Sequence, residues 1–236
     1  MQKRLNLADN PTILFQGDSI TDSERRRRRN ESLGDGYVML IAAQLTAAHP
    51  EYHMKFINRG VIGDRIRDLA YRWKKDCLDL KPNLVSILIG INDIVSKPIW
   101  QRGIKRNIKS IANGGNDFLG KSFWEKSTPT ESFQSDYTTI LKQTQQLKCQ
   151  IVLLEPFLVY PKGKYPELTE DLNQKIEVIK KLSKKFETTL IPLNDIFMKA
   201  CTKRPYSYWT YDGVHPTLAG HALIAQSWIK SIIEEL

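Results

Sequence analysis

The chain has 236 residues, 41% of them hydrophobic, and 35 Lys and Arg against 26 Asp and Glu give a formal net charge of +9. That length and apolar content suit one globular domain and exclude a disordered or fibrous chain. No stretch is apolar for long enough to span a membrane, and the three cysteines, Cys77, Cys149 and Cys201, are too widely spaced for a disulfide framework or a paired metal-ligand motif.

The N-terminus opens basic, but Asn6, Asp9, Asn10 and Pro11 break the apolar run that a secretory signal needs, so a cytoplasmic location is expected. Thr12 to Phe15 is the first short apolar run, and Gln16-Gly17-Asp18-Ser19 follows it directly. Arg25 to Arg29 then places five positive charges together, read as a solvated segment able to steer an acidic substrate. Tyr37, Leu40, Ile41 and Leu45 fall on one helical face. Met54 to Ile57 is the second apolar run, with Gly63 shortly after it, and Ile66, Leu69, Ala70 and Trp73 form the next helical face. The third run, Leu84 to Ile89, leads into Gly90-Ile91-Asn92-Asp93.

Lys97 to Gln134 shows no sustained period, so an inserted loop region is expected at about 97–134. Ile151 to Leu154 and Thr189 to Ile191 are the last two runs, separated by the helical face Leu172, Ile176, Ile179, Leu182 and Phe186. Leu218, Ala222, Ala225 and Ile229 are the expected buried face of a closing helix. Runs that are apolar on both alternations suit parallel strands covered on both faces. Their alternation with helices predicts an α/β protein: a three-layer αβα sandwich with a central parallel five-stranded sheet, in a single domain over 1–236.

In such a sheet ligands bind beyond the carboxyl ends of the strands. Ser19, Gly63 and Asn92 each follow one of the first three runs, and Asp212-Gly213-Val214-His215-Pro216 precedes the closing helix. A serine hydroxyl needs a base to become a nucleophile, and an imidazole is matched to that task near neutral pH. His215 is the candidate base, and Asp212, three residues earlier on a glycine turn, the candidate for orienting it. The backbone N–H groups of Ser19 and Gly63 and the side-chain amide of Asn92 are candidate donors for an oxyanion. Trp209 and Tyr211 lie beside Asp212, and Arg59 and Arg65 flank Gly63, as candidate walls or contacts of a substrate site. Asp18 and Asp93 read as structural or capping carboxylates, and His221 as a structural histidine pointing away from the site.

These blocks resemble the SGNH, or GDSL, hydrolase superfamily, whose Ser, Gly, Asn and His match Ser19, Gly63, Asn92 and His215, with Asp212 in the Asp-x-x-His pair. The strings Gln16 to Asp22, Arg65 to Leu69, Val85 to Asp93 and Asp212 to Pro216 look like the bacterial branch that includes acetylxylan esterases. The resemblance implies a flavodoxin-like αβα fold, no metal and no cofactor, self-association, and removal of small acyl groups, acetyl on carbohydrates among them. The expected partner is a small-molecule or oligosaccharide ester, and nucleic acid is not expected. An α/β-hydrolase elbow, Gly-x-Ser-x-Gly, is absent, since Thr21 stands two residues after Ser19. Two alternatives stand beside the acetylesterase: a lipase or thioesterase acting on longer acyl chains, and a basic nucleic-acid-binding protein on an inactive hydrolase fold.

Overall fold

The computed structural model describes residues 10–26, 29, 31–94, 127–160 and 166–233. Within them the chain runs β1 (Thr12–Gly17), α1 (Ser19–Asp22), α2 (Tyr37–Ala48), β2 (Lys55–Gly60), α3 (Ile66–Asp76), β3 (Leu84–Leu88) and α4 (Ile91–Ile94). It continues with α5 (Thr130–Gln145), β4 (Gln150–Leu154), α6 (Pro166–Phe186), β5 (Thr189–Ile191), α7 (Leu193–Cys201), α8 (Tyr206–Trp209) and α9 (Leu218–Ile233). The strands form one parallel sheet in the order β2-β1-β3-β4-β5. The chain thus passes from β1 outward to β2 and returns to the other side of β1 as β3. That reversal makes the carboxyl ends of β1 and β3 the topological switch point of the sheet.

Both faces of the sheet are covered, and the strands divide their side chains between them with the two-residue period of extended backbone. Ile13, Phe15, Leu84, Leu88, Val152 and Leu154 join one core with Tyr37, Ile41, Phe197, Ile224 and Trp228 from α2, α7 and α9. Leu14, Val85, Ile87, Ile151 and Leu153 join the other with Ile66, Trp73, Phe133, Tyr137 and Ile140 from α3 and α5. Ser86 interrupts the apolar β3 because it has a partner: the buried Trp228 Nε1 donates to its Oγ at 3.0 Å. On the opposite face Trp73 Nε1 donates to Thr144 Oγ1, also at 3.0 Å. Buried indole N–H groups need such acceptors, and each bond fixes a helix against its layer.

The structure departs from the sequence expectations in two helices. Of the region expected as an inserted loop, 97–126 lies outside the described residues, and Thr130 to Gln134 open α5. α5 buries Phe133, Tyr137, Ile140, Leu141 and Thr144, a face diluted in the sequence by surrounding Thr, Ser and Gln. Its entry is fastened by Lys175 of α6, a buried lysine whose Nζ donates to Thr128 O at 2.7 Å, Asp171 Oδ1 at 3.0 Å and Thr130 Oγ1 at 3.1 Å. Three acceptors satisfy its three donors, which makes its burial tolerable.

In α9 the buried face is His221, Ile224, Ala225, Trp228 and Ile232, while Leu218 is 72% exposed. The expected face was rotated because an apolar count discards His221. Its imidazole is buried because both nitrogens are bonded: Tyr37 N–H donates to Nδ1 at 3.2 Å, and Nε2 lies 3.4 Å from Ser23 Oγ. Tyr37 opens α2, whose Gly36 cap has no side chain, so His221 supplies the acceptor that the first turn lacks.

Burial, with a smaller contribution from the charge of His215, pushes the His221 imidazole down to about 4. The folded state therefore holds it neutral while the unfolded chain protonates it near 6.5, a value typical of free imidazole. Its contribution to stability is complete above that unfolded value and is lost as pH falls through about 4. On the order of 2–3 kcal/mol is at stake. Urea midpoints at pH 7 and pH 4.5 check this: the drop on acidification is expected to be larger for wild type than for His221→Gln, and parallel drops would refute it.

Candidate active site

β1 ends at Gly17, and the chain turns at once into the single turn α1. Asp18 makes that turn, its Oδ1 accepting Ile20 N–H at 3.0 Å, and Ser19 follows as the first helical residue. The Ser19 hydroxyl is thereby held above the carboxyl ends of β1 and β3. Asp18 is fully buried, and desolvation raises its carboxyl to about 7 against the opposing Ile20 N–H bond and His215 charge, with Asp64 and Asp93 adding to the rise. Its role is to shape the Ser19 turn, as the sequence suggested.

The second half of the site is a compact turn between α8 and α9. Thr210 and Pro216 form an antiparallel bridge, and Tyr211 N–H donates to His215 O at 2.8 Å. Inside this turn Asp212 divides its carboxylate. Oδ1 accepts Val214 N–H at 3.0 Å and His215 N–H at 2.8 Å, and Oδ2 lies 2.7 Å from His215 Nδ1. Burial acts to raise Asp212, but the hydrogen bond and charge of His215 and the two backbone N–H groups outweigh it and hold the carboxyl below the usual carboxylate range. An ionised carboxylate only accepts, so Nδ1 carries a proton, and whenever the imidazole is neutral Nε2 holds the lone pair. That Nε2 lies 3.2 Å from Ser19 Oγ, within reach of proton transfer. The side chains of His215 and Asp212 are 29% and 28% exposed, so the site opens to solvent.

Gly63 and Asn92 lie on neighbouring segments that follow β2 and β3. Val61 to Asp64 is a four-residue turn closed by Asp64 N–H donating to Val61 O at 3.2 Å, with Gly63 in the left-handed region at φ +83°. Asn92 Nδ2 donates to Asp64 O at 3.0 Å. A carbonyl partner fixes which end of the amide is nitrogen and leaves the second N–H available. Asp93 does cap a helix, but α3 rather than its own, its Oδ2 accepting Ile66 N–H at 3.1 Å. Burial raises Asp93 to about 6, opposed by the Thr128 hydroxyl, Ile66 N–H, Arg65 and Lys175.

The expected substrate contacts fare differently. Tyr211 is 75% exposed beside Asp212. Trp209 directs its indole N–H to the carbonyls of Ala200 and Arg204, at 3.2 and 3.3 Å, and so turns towards the end of α7. Arg59 turns to Asp76 of α3, 3.9 Å away, and Arg65 is buried at the start of that helix. Sequence reasoning passed over Asp64 and Arg72, which hold the Gly63 turn; a carboxylate directly after the glycine, followed by a cation two helical turns on, was the available signal. Among the described residues no group of three or more His, Cys, Asp and Glu could hold a metal, and no helix is long and apolar enough to cross a membrane.

The model of the GDSL-like Lipase/Acylhydrolase family matches residues 15–223. An acetylxylan esterase from Geobacillus stearothermophilus is 27% identical over 232 residues, spanning 97% of this chain and 96% of its own. A solved structure of a catalytic mutant of an acetylxylan esterase from that organism has a TM-score of 0.79 at 26% identity, covering 99% of this chain and 97% of the other. A structure assigned as a GDSL-like lipase from Parabacteroides merdae has a TM-score of 0.80 at 32% identity, covering 98% and 99%. Fold and sequence together define a carboxylic ester hydrolase. The chain belongs to the GDSL-like lipase/acylhydrolase family, within which it resembles the acetylxylan esterases.

The Asp212 turn rests on the segment after β4. Val159 N–H donates to Gly213 O at 2.9 Å, and a Cβ on Gly213, whose φ is +91°, would stand 2.6 Å from the Tyr160 ring. Gly213→Ala therefore meets both a strained backbone and an aromatic ring. It is expected to lower stability by about 1–3 kcal/mol and to reduce kcat for ester hydrolysis by about tenfold or more. Urea unfolding and steady-state kinetics check this, and an unchanged kcat would separate the turn from turnover.

Proposed function

We propose that the chain is a serine esterase that removes small acyl groups, above all acetyl from carbohydrate esters, through an acyl-Ser19 intermediate. The observation that carries this reading is the unbroken hydrogen-bond chain from Ser19 Oγ through His215 to Asp212, at distances of 3.2 and 2.7 Å. His215 Nε2 accepts the Ser19 proton as Oγ bonds to the ester carbonyl carbon. The resulting oxyanion is received by the N–H groups of Ser19 and Gly63 and by Asn92 Nδ2. The carbon–oxygen bond to the sugar then breaks, and the imidazolium returns its proton to the leaving alcohol. Water attacks the acyl-serine, His215 takes the water proton and passes it to Ser19, and the carboxylic acid departs.

The acetyl preference is supported by the resemblance to acetylxylan esterases over nearly the whole chain. Tyr211, exposed beside the triad, is the candidate sugar-stacking face. The likeness to a GDSL-like lipase favours the second reading, a lipase or thioesterase for longer chains. The nucleic-acid reading draws no support from Arg25, whose guanidinium donates to Gly60 O at 3.0 Å. The three free cysteines agree with a reducing, cytoplasmic setting. One sheet shared by both cores supports a single domain, and self-association follows from the family resemblance alone.

Hydrolysis of p-nitrophenyl acetate, butyrate and octanoate, and acetate release from acetylated xylo-oligosaccharides, test the proposal. Wild type is expected to favour acetate, and Ser19→Ala to lose about 10³-fold or more in kcat. Because the base must be neutral, the rate is also expected to fall as acid protonates the imidazole. Activity that grows towards octanoate selects the lipase or thioesterase reading, and turnover independent of Ser19 rejects the mechanism.

A further inference from the structure

Arg72 lies midway along α3, and its side chain is largely buried, 14% exposed. Its guanidinium donates through every nitrogen. Nε reaches Asp64 Oδ2 at 2.7 Å, Nη1 reaches Gln16 Oε1 at 2.8 Å and Asp76 Oδ2 at 3.2 Å, and Nη2 reaches Gly17 O at 3.2 Å. Asp76 is on its own helix, one turn further on. The remaining acceptors belong to the end of β1 and to the turn after β2.

Those acceptors are the immediate neighbours of the proposed oxyanion donors. Gly17 is two residues before Ser19, and its carbonyl also accepts Val61 N–H at 3.0 Å, joining β1 to the base of the Gly63 turn. Asp64 directly follows Gly63, and its own carbonyl accepts the Asn92 amide at 3.0 Å. One planar cation therefore holds the backbone beside the first donor, the residue after the second, and, through Asp64, the orientation of the third. Five N–H groups in a rigid fork can serve these four acceptors at fixed directions from three nitrogens, whereas an ammonium offers three donors from a single nitrogen and cannot satisfy all four.

We infer that Arg72 is the positioning residue of the oxyanion hole, setting the mutual geometry of Ser19 N–H, Gly63 N–H and Asn92 Nδ2 without touching substrate. The inference rests on the hole assigned under the proposed function. An oxyanion hole acts when charge develops, so its misalignment slows turnover and leaves ground-state binding nearly untouched. A cation that merely fastened α3 to the sheet would leave no such signature.

The test compares wild type, Arg72→Lys, Asn92→Ala and the double variant in steady-state hydrolysis of p-nitrophenyl acetate, with thermal melts to confirm folding. Arg72→Lys is expected to lower kcat by about ten- to a hundredfold with KM within about threefold of wild type. The two losses are expected to be less than multiplicative in the double variant, because a donor already misaligned has less to lose. Multiplicative losses, a change confined to KM, or an unchanged kcat in Arg72→Lys would overturn the inference. Should Arg72→Lys fail to fold, Asp64→Asn, which keeps the side-chain size and removes the charge facing Nε, is judged by the same criteria. Asn92→Ala alone separates the two levels. A wild-type kcat there removes the hole itself, and Arg72 with it, whereas a reduced kcat with multiplicative combination keeps the hole and removes only the part assigned to Arg72.

Discussion

Two aligned glycines at the carboxyl edge of the sheet make the site sterically feasible. The parallel register sets Gly17 of β1 level with Gly60 of β2 on one side and Leu88 of β3 on the other. A Cβ on Gly17 would lie 2.3 Å from Leu88 O and from Thr21 Oγ1, and one on Gly60 would lie 2.2 Å from Asp22 N. The turn carrying Ser19 thus settles directly on the strand ends, closer than any side chain permits. Because β1, β2 and β3 stop at one height, the loops bearing Ser19, Gly63 and Asn92 emerge as neighbours, and short links such as Asn92 Nδ2 to Asp64 O can bind them together.

The carboxyls around this edge show how environment divides one residue type into different states. Asp212 accepts from the imidazole and from two backbone N–H groups, and these outweigh its burial, so it stays ionised. Asp18 has the single Ile20 N–H bond and full burial, and is raised to about 7. Asp93, also buried, is raised to about 6 despite four opposing influences. The carboxylate that supports the imidazole is therefore charged, Asp18 is close to half-protonated at neutral pH, and Asp93, raised less, stays mostly ionised there. That division suits an ester hydrolase: negative charge is kept where it can stabilise an imidazolium and is lessened close to Ser19, where the proposed oxyanion would meet repulsion.

The five strands and the four blocks were legible because each is a local signal. A β-branched run, a glycine turn or an Asp-x-x-His pair can be read from a few consecutive residues. What was hidden depends on partners far apart along the chain. Gln16 and Arg72 are 56 residues apart, and Ser23 and His221 are 198 apart. No period marks Arg72 as facing the sheet edge or His221 as buried, because hydrogen bonds rather than apolarity justify both positions. Trp209 and Arg59 looked available to a substrate because polar contacts leave no periodic trace: the Trp209 indole N–H turns back to the carbonyls of Ala200 and Arg204, and Arg59 faces Asp76.

The two halves of the site differ in how they are built, and this determines where its geometry can adjust. Ser19, Gly63 and Asn92 stand on strand ends, whereas His215 and Asp212 share one turn and move together. Within that turn the imidazole is held at 2.7 Å to Asp212, while its contact with Ser19 is the longer one, 3.2 Å. Relative movement of the halves therefore alters the serine–imidazole contact and leaves the imidazole–carboxylate pair intact. His221 limits that movement, since it sits on the helix that follows His215 and bonds both to Tyr37 N–H of α2 and to Ser23 at the end of the Ser19 turn. A neutral, buried histidine outside the hydrogen-bond chain of the site thereby ties the Ser19 turn to the helix that follows His215, and protonating it would strain that joint.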